Sequence, residues 1–237
     1  MSNKPDISIV IPTLNEEKCL ESALISLKSQ FIHKKYEIII SDGYSTDKTL
    51  QIAKKYADKI VFEEKRTISA GRQTGAKEAQ GKVIVSAGAD IYVEPTWLDT
   101  LTRPIFEETH VASLGPVVPL DGTQIENLFA HELLKPLGYV LSKAGMHFAA
   151  ADNMAFDAEI FRKAGGFNPE LVTGEDTDLV KRVKNYGKIA YSPEALAYVS
   201  MRRVHEWGYW KYLSFHTSNF INFHTRGKSS GKYDAVR

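Results

Sequence analysis

The chain has 237 residues, of which 43% are hydrophobic and 25% charged, with a formal net charge of +1. That length suits one large domain with a substantial core, and the near-zero charge excludes bulk electrostatic capture of nucleic acid. No apolar run reaches the roughly 18 residues of a membrane span.

Met1-Ser2-Asn3-Lys4-Pro5-Asp6 leads straight into a strand, without the pattern of a signal peptide. Ile7-Ser8-Ile9-Val10-Ile11, stopped by Pro12, reads as a buried parallel strand. Thr13-Leu14-Asn15-Glu16 is the loop before a helix from about Glu17 to Ser29, with Leu20, Leu24 and Leu27 at helical spacing. Cys19 lies in it, the single cysteine of the chain, and reads as a small buried hydrophobe. With no intrachain disulfide possible, a reducing, cytoplasmic compartment is expected. Tyr36 to Ile40 is a second strand, ending in Ser41-Asp42-Gly43-Tyr44-Ser45-Thr46-Asp47, and a helix capped by Thr46 or Asp47 follows to about Tyr56. Lys59 to Phe62 is a third strand, and Ser69 to Ala79 a third helix with Gly81 as its C-cap. Val83-Ile84-Val85 is a fourth strand, running into Gly88-Ala89-Asp90. This β-α-β-α-β-α-β rhythm predicts a Rossmann-like, mostly parallel sheet flanked by helices, with right-handed crossovers.

The second half is less regular. Thr96 to Glu107 reads as a helix, Val111 to Leu114 as a strand, and Gln124 to Lys143 as a helix interrupted near Pro136. Phe148 to Met154 precedes a helix over about Asp157 to Ala164, closed by Gly165-Gly166. Thr173-Gly174-Glu175-Asp176 opens a helix to about Tyr186. Lys188 to Tyr191 and Ala195 to Val199 are short strands, Trp207 to about Thr225 is an aromatic-rich helix, and Gly227 to Arg237 is a loose polar tail. With no linker, the expectation is one domain: a nucleotide half to about residue 95, an acceptor half over 96–205, and a C-terminal helix and tail over 206–237.

Asn15, Glu16, Asp42 and Asp90 all follow predicted strands, and such loops gather on one edge of an α/β sheet. Arg72 lies near the same edge. Acids there can hydrogen-bond ribose or base, or hold a diphosphate through a divalent cation. Taken singly, Asn15 and Asp47 read as turn formers; four such loops together read as a nucleotide site. Neither a G-x-x-x-x-G-K-[ST] loop nor a G-x-G-x-x-G turn after the first strand is present.

In these motifs the chain resembles the family-two glycosyltransferases, inverting enzymes with the GT-A fold. The resemblance lies in Ile-Pro-Thr-Leu-Asn-Glu (11–16), Ser-Asp-Gly-Tyr-Ser-Thr-Asp (41–47), Arg72 with Gly75, Gly-Ala-Asp (88–90), Gly-Gly-Phe (165–167) and Gly-Glu-Asp-Thr-Asp-Leu (174–179), in the family's order from about Ile7 to Arg203. It implies that Pro12, Thr13, Glu16, Asp42 and Arg72 line the nucleoside pocket of a nucleotide-sugar. Asp90 matches the last acid of the family's Asp-x-Asp motif, which ligates Mg2+ or Mn2+, and Asp176 matches its catalytic base. Two departures stand out: Gly88 replaces the motif's first acid, and Ser41 replaces the first of two acids before Gly43.

The reaction so implied moves a sugar from a UDP- or GDP-type donor to a hydroxyl of a glycan or lipid carrier, with Asp176 as base and Asp90 at the metal. Glu175 beside Asp176 is assigned to the donor site and is the rival base; acids at a helix start also simply suit the dipole. Arg202 and Arg203 are candidates for the pyrophosphate and His205 for the metal, against the alternative of a solvated basic turn. Met146-His147-Phe148 and Asp152-Asn153 are candidates for the acceptor site, with His147 favoured as structural. The aromatic segments Leu128 to Leu141 and Trp207 to Phe223 read first as core; their mixture with Lys and His also suits peripheral contact with a membrane. The rival classes are a nucleotidyltransferase, whose Gly-rich basic loop after the first strand is missing, and a non-catalytic nucleotide-sugar binder.

Overall fold

Four β-branched runs form β1 (Ile7–Thr13), β2 (Tyr36–Asp42), β3 (Lys59–Phe62) and β4 (Val83–Ala87), paired in parallel in the order β3-β2-β1-β4. The computed structural model describes residues 4–147 and 149–226. Phe148 and the expected tail Gly227 to Arg237 lie outside the described residues.

Alternate residues of each strand point to opposite faces. Ile7, Ile9 and Ile11 bury against α1 (Leu20–Lys28), α2 (Thr49–Tyr56) and α4 (Trp97–Phe106). Val10, Ile39 and Ile84 bury on the other face, which α3 (Ile68–Lys77) covers. Burial on both faces is why these strands read as unbroken apolar runs. Gly71 and Gly75 set how closely α3 lies on β1: a Cβ on Gly75 would sit 2.5 Å from Val10 Cγ1, and one on Gly71 2.9 Å from Pro12 Cβ. Gly81 is not the expected C-cap, because α3 ends at Lys77 with Glu78 as its C-cap; instead a Cβ at Gly81 would meet the β1 backbone at 2.7 Å.

The second half completes the sheet in a way the local pattern did not announce. β6 (Ala112–Leu114), β8 (Asn153–Asp157) and β9 (Ile189–Tyr191) extend it to β3-β2-β1-β4-β8-β6-β9. β8 runs antiparallel to both β4 and β6, so the sheet is mostly parallel with one reversed strand. β5 (Ile91–Val93), β7 (Val117–Pro119) and β10 (Ala197–Val199) form a separate small sheet in the order β5-β10-β7. β5, β7 and β8 were not expected; each is five residues or shorter and held by distant partners.

The helix expected over Gln124 to Lys143 is broken as anticipated. α5 (Gln124–Phe129) passes through a π-turn, Ala130–Leu134, into α6 (Lys135–Lys143), where Pro136 lacks the N–H that a regular α-turn needs. The stretch is not core: Ile125 is 79% exposed, Leu128 64%, Phe129 51% and Val140 62%. α7 (Ala158–Lys163) is capped by Asp157, and α8 (Glu175–Val183) starts at Gly174 in the left-handed region. The stretch after β10, for which a solvated basic turn was the alternative, is a helix, α9 (Arg202–Trp207), followed by α10 (Tyr209–Arg226).

Candidate active site

The loops after β1 and β2 are tied into one unit. Thr13 and Asp42 are register partners at the strand ends, and Thr13 Oγ1 donates to Asp42 Oδ2 at 2.9 Å. Ser45 donates its N–H to Asp42 Oδ1 at 2.7 Å and its hydroxyl to Oδ2 at 2.6 Å. Ser45 Oγ in turn accepts from Asn15 N, and Asn15 Oδ1 accepts from Thr46 N. Asn15 and Tyr44 both hold positive φ, so the two loops turn sharply at this edge. Asp42 is fully buried with both oxygens occupied. It therefore shapes the edge at which Pro12 and Thr13 lie, and Asn15 is a loop former.

Arg72 enters the sheet edge from α3, 3% exposed. Its Nη1 donates to Ser86 Oγ at 2.5 Å and to the Ala87 carbonyl at the end of β4, and Nη2 donates to Asp152 Oδ1 at 2.7 Å. Its Nε lies 3.8 Å from Glu175 Oε1. Arg72 thus joins the end of β4 to the acids of the second half. Glu175 is buried, and burial, then the adjacent Asp176 charge, push its carboxyl up to about 7 against the lowering effect of Arg72. Asp176 is half-buried. Burial raises its pKa too, and Thr177, donating from N at 2.6 Å, works the other way. A pair of adjacent acids with displaced pKa values is a mark of functional sites.

Asp90 stands in the turn between β4 and β5. β5 pairs with β10 in the register Ile91↔Val199, so the residues just past β10 return to Asp90. There Arg202 Nη2 lies 2.5 Å from Glu16 Oε2 and 3.2 Å from Asp90 Oδ2. Burial raises the pKa of Glu16 and of Asp90, and Arg202 opposes both shifts. Cys19 is half-buried, with its sulfur 3.6 Å from Arg202 Nη1, so it is not the buried apolar residue expected.

The structure pairs Arg202 with Glu16 and Asp90, and Arg72 with Asp152 and Glu175 beside Asp176; Asp152 also abuts Gly88 in the turn that leads to Asp90. It places His205 against Glu126, with Nε2 2.9 Å from Oε1, and no ion pair of the described residues joins His205 to Asp90. Arg203 lies over the Trp207 ring at 5.6 Å. Asn153, a candidate for the acceptor site, is fully buried: it accepts from Trp97 Nε1 and donates to the Pro116 and Ala195 carbonyls, knitting the two sheets together. Sequence reasoning missed Tyr212. Burial raises the pKa of its phenol, and the charges of Asp152 and Asp176 raise it further, which puts α10 beside the acids. The only hint was an aromatic helix at ordinary core spacing.

Among the described residues no group of three His, Cys, Asp or Glu is arranged to hold a metal. The donors present are hard carboxylate oxygens, the kind Mg2+ and Mn2+ take. Arg72 pairs with Asp152 and Glu175, and Arg202 with Glu16 and Asp90, so acids outnumber cations at this edge. One or two of these carboxylates, with the oxygens of a diphosphate, suit a divalent cation.

A model of Glycosyl transferase family 2 matches residues 8–165. A dolichyl N-acetyl-alpha-D-glucosaminyl phosphate 3-beta-D-2,3-diacetamido-2,3-dideoxy-beta-D-glucuronosyltransferase of Methanococcus voltae is 38% identical over 188 residues, covering 74% of this chain and 54% of that protein. Glycosyltransferase AglE of Haloferax volcanii is 26% identical over 199 residues, 78% of this chain and 64% of that protein. The chain therefore spans between half and two thirds of the length of these relatives. Among solved structures, the mannosyltransferase PcManGT from Pyrobaculum calidifontis in complex with GDP-Man and Mn2+ aligns at TM-score 0.70 and 19% identity, over 97% of this chain and 67% of that one. S. aureus TarS 1-349 in complex with UDP aligns at TM-score 0.64 and 20% identity, over 92% and 71%.

Proposed function

The chain belongs to glycosyl transferase family 2, and on that footing we propose that it transfers a sugar, with inversion, from a UDP- or GDP-type nucleotide-sugar to a hydroxyl of a glycan or lipid-linked acceptor. The observation that carries this reading is Arg72, which ties the end of β4, just before the Asp90 turn, to Asp152 and to the acid pair at the start of α8. Donor-side and acceptor-side groups thus share one charge network.

In the reaction, Asp176 takes the proton of the acceptor hydroxyl. The oxygen attacks the anomeric carbon, the bond from that carbon to the diphosphate breaks, and the diphosphate leaves with the electron pair. A base on the face opposite the leaving group makes this a single displacement. Glu175 is pushed up to about 7 and burial raises Asp176 as well, so the adjacent acids titrate as a pair. The Asp42-braced loops orient the nucleoside, and Arg202 is the side-chain cation nearest Asp90. Asp90 is the first residue to hold a Mg2+ or Mn2+ ion, which when bound supplies charge neutralisation to the diphosphate.

The lipid-linked acceptor is supported by the exposed apolar face of α5, the π-turn and α6, and by Trp210 and Leu213 on α10, 88% and 55% exposed. Lys143 over the Tyr139 ring and Lys211 over the Trp207 ring set cations beside these aromatic segments, which suits peripheral contact with an anionic membrane face. No helix of the described residues is long and apolar enough to cross a membrane.

The test is Asp176→Asn, assayed for sugar transfer and, on the same preparation, for nucleotide binding. Turnover should fall about 10²–10⁴-fold, the usual contribution of a general base, with nucleotide affinity unchanged. Near-normal transfer by Asp176→Asn with an inactive Glu175→Gln would move the base to Glu175; near-normal transfer by both would refute the mechanism.

A further inference from the structure

Position 88 carries no side chain where the family's motif has a carboxylate. The space such a side chain would enter is nevertheless filled. A Cβ built on Gly88 would lie 2.8 Å from Asp152 Oδ1 and 3.1 Å from its Cγ. The reason is strand register: Ala87 and Asn153 are partners in the antiparallel β4–β8 ladder, so the next pair outward is Gly88 and Asp152. Residues directly opposed in such a ladder have Cα atoms about 4.5–5.5 Å apart, and an aspartate side chain spans that gap.

We propose that Asp152 supplies the carboxylate that position 88 lacks, and that Asp90 and Asp152 together hold the divalent cation of the donor site. This rests on the donor-site reading above. The Asp152 carboxylate lies against the space that a side chain at position 88 would enter. Three observations agree with the assignment. Arg72 holds Asp152 through Oδ1, while about a third of the side chain stays open, 32%, so the carboxylate is oriented and still accessible. Gly88 and Asp90 flank Ala89 just after β4, so the Asp152 carboxylate that abuts position 88 lies against the same turn that carries Asp90. Arg72 is shared between Asp152 and Glu175 and Arg202 between Asp90 and Glu16, so the carboxylates outnumber the cations that face them.

The experiment measures Mn2+ binding by electron paramagnetic resonance on the full chain, with Mn2+ alone and with Mn2+ plus UDP or GDP. Asp152→Asn keeps an oxygen for Arg72, so its melting temperature should stay near that of the parent. Its Mn2+ affinity should fall by at least about 10–100-fold, the effect already seen when a group merely supporting a ligand is lost. The exchange variant Gly88→Asp/Asp152→Gly, which returns the carboxylate to β4, should recover binding in the presence of nucleotide. A folded Asp152→Asn that binds Mn2+ as the parent does overturns the proposal, as does a folded exchange variant that fails to recover it or a parent that binds no Mn2+ in any of the three conditions. Binding is read without sugar transfer. A chain that holds Mn2+ through Asp152 but moves no sugar would refute the transferase reading and leave this assignment standing.

Discussion

Glu175→Gln should stabilise this protein at alkaline pH and leave it unchanged at acid pH. The Glu175 side chain is 10% exposed, and its carboxyl is pushed up to about 7 from 4.5. The folded state thus keeps a proton that the unfolded chain releases. A raised pKa gives stability that is fully present below the unfolded value and lost as pH rises through the folded value. Between about pH 4.5 and pH 7 the loss accumulates at about 1.4 kcal/mol per unit, near 3 kcal/mol in total. Arg72, 3.8 Å away, already offsets part of the burial cost, so that figure is net of the pair. Glutamine has the same shape and no charge, and it escapes the loss. In a domain of this size about 3 kcal/mol corresponds to roughly 6–12 °C in melting temperature. The assay is thermal and urea unfolding of parent and variant at pH 4.5, 6 and 8.5. The two should coincide at pH 4.5 and separate progressively above it. A constant difference at all three values, or a variant less stable at pH 8.5, would refute the argument, since it would mean that the Glu175 charge is not what burial penalises.

Asp42→Ala removes the acceptor of three hydrogen bonds that brace the β1 and β2 loops, so nucleotide affinity should weaken by about 1–3 kcal/mol; calorimetry showing unchanged affinity would detach Asp42 from the nucleoside site. Ile125→Ser/Leu128→Ser/Val140→Ser replaces three exposed apolar residues, and co-sedimentation with anionic vesicles should drop while the melting temperature stays close to that of the parent. Equal sedimentation of parent and variant would sink the membrane-contact reading.

Much of the fold was legible because it is local. The apolar runs of β1, β2 and β4, the matched ends of β3, and the three helices between them follow from periodicity and caps within a few residues. The acids at the strand ends were legible for the same reason, since a parallel strand must end in a polar loop on one edge. Local context also misled. Leu128 to Leu141 carries the spacing of a core helix, yet nothing within the segment says whether a partner covers its apolar face, and the fold leaves it exposed.

The sequence by itself determined the α/β class, the four-stranded parallel half, and the residue types that meet at its edge. Only the tertiary structure decided which of them touch. β8 is five residues long and reads as nothing in particular until it inserts between β4 and β6. That insertion sets Asp152 across from Gly88 and within reach of Arg72. Arg202 is 112 residues from Asp90 in the sequence and reaches it because β10 pairs with β5. Pairings of this kind are chosen by how well whole faces of the sheet bury against one another, a property of the assembled chain that no window of a few residues contains.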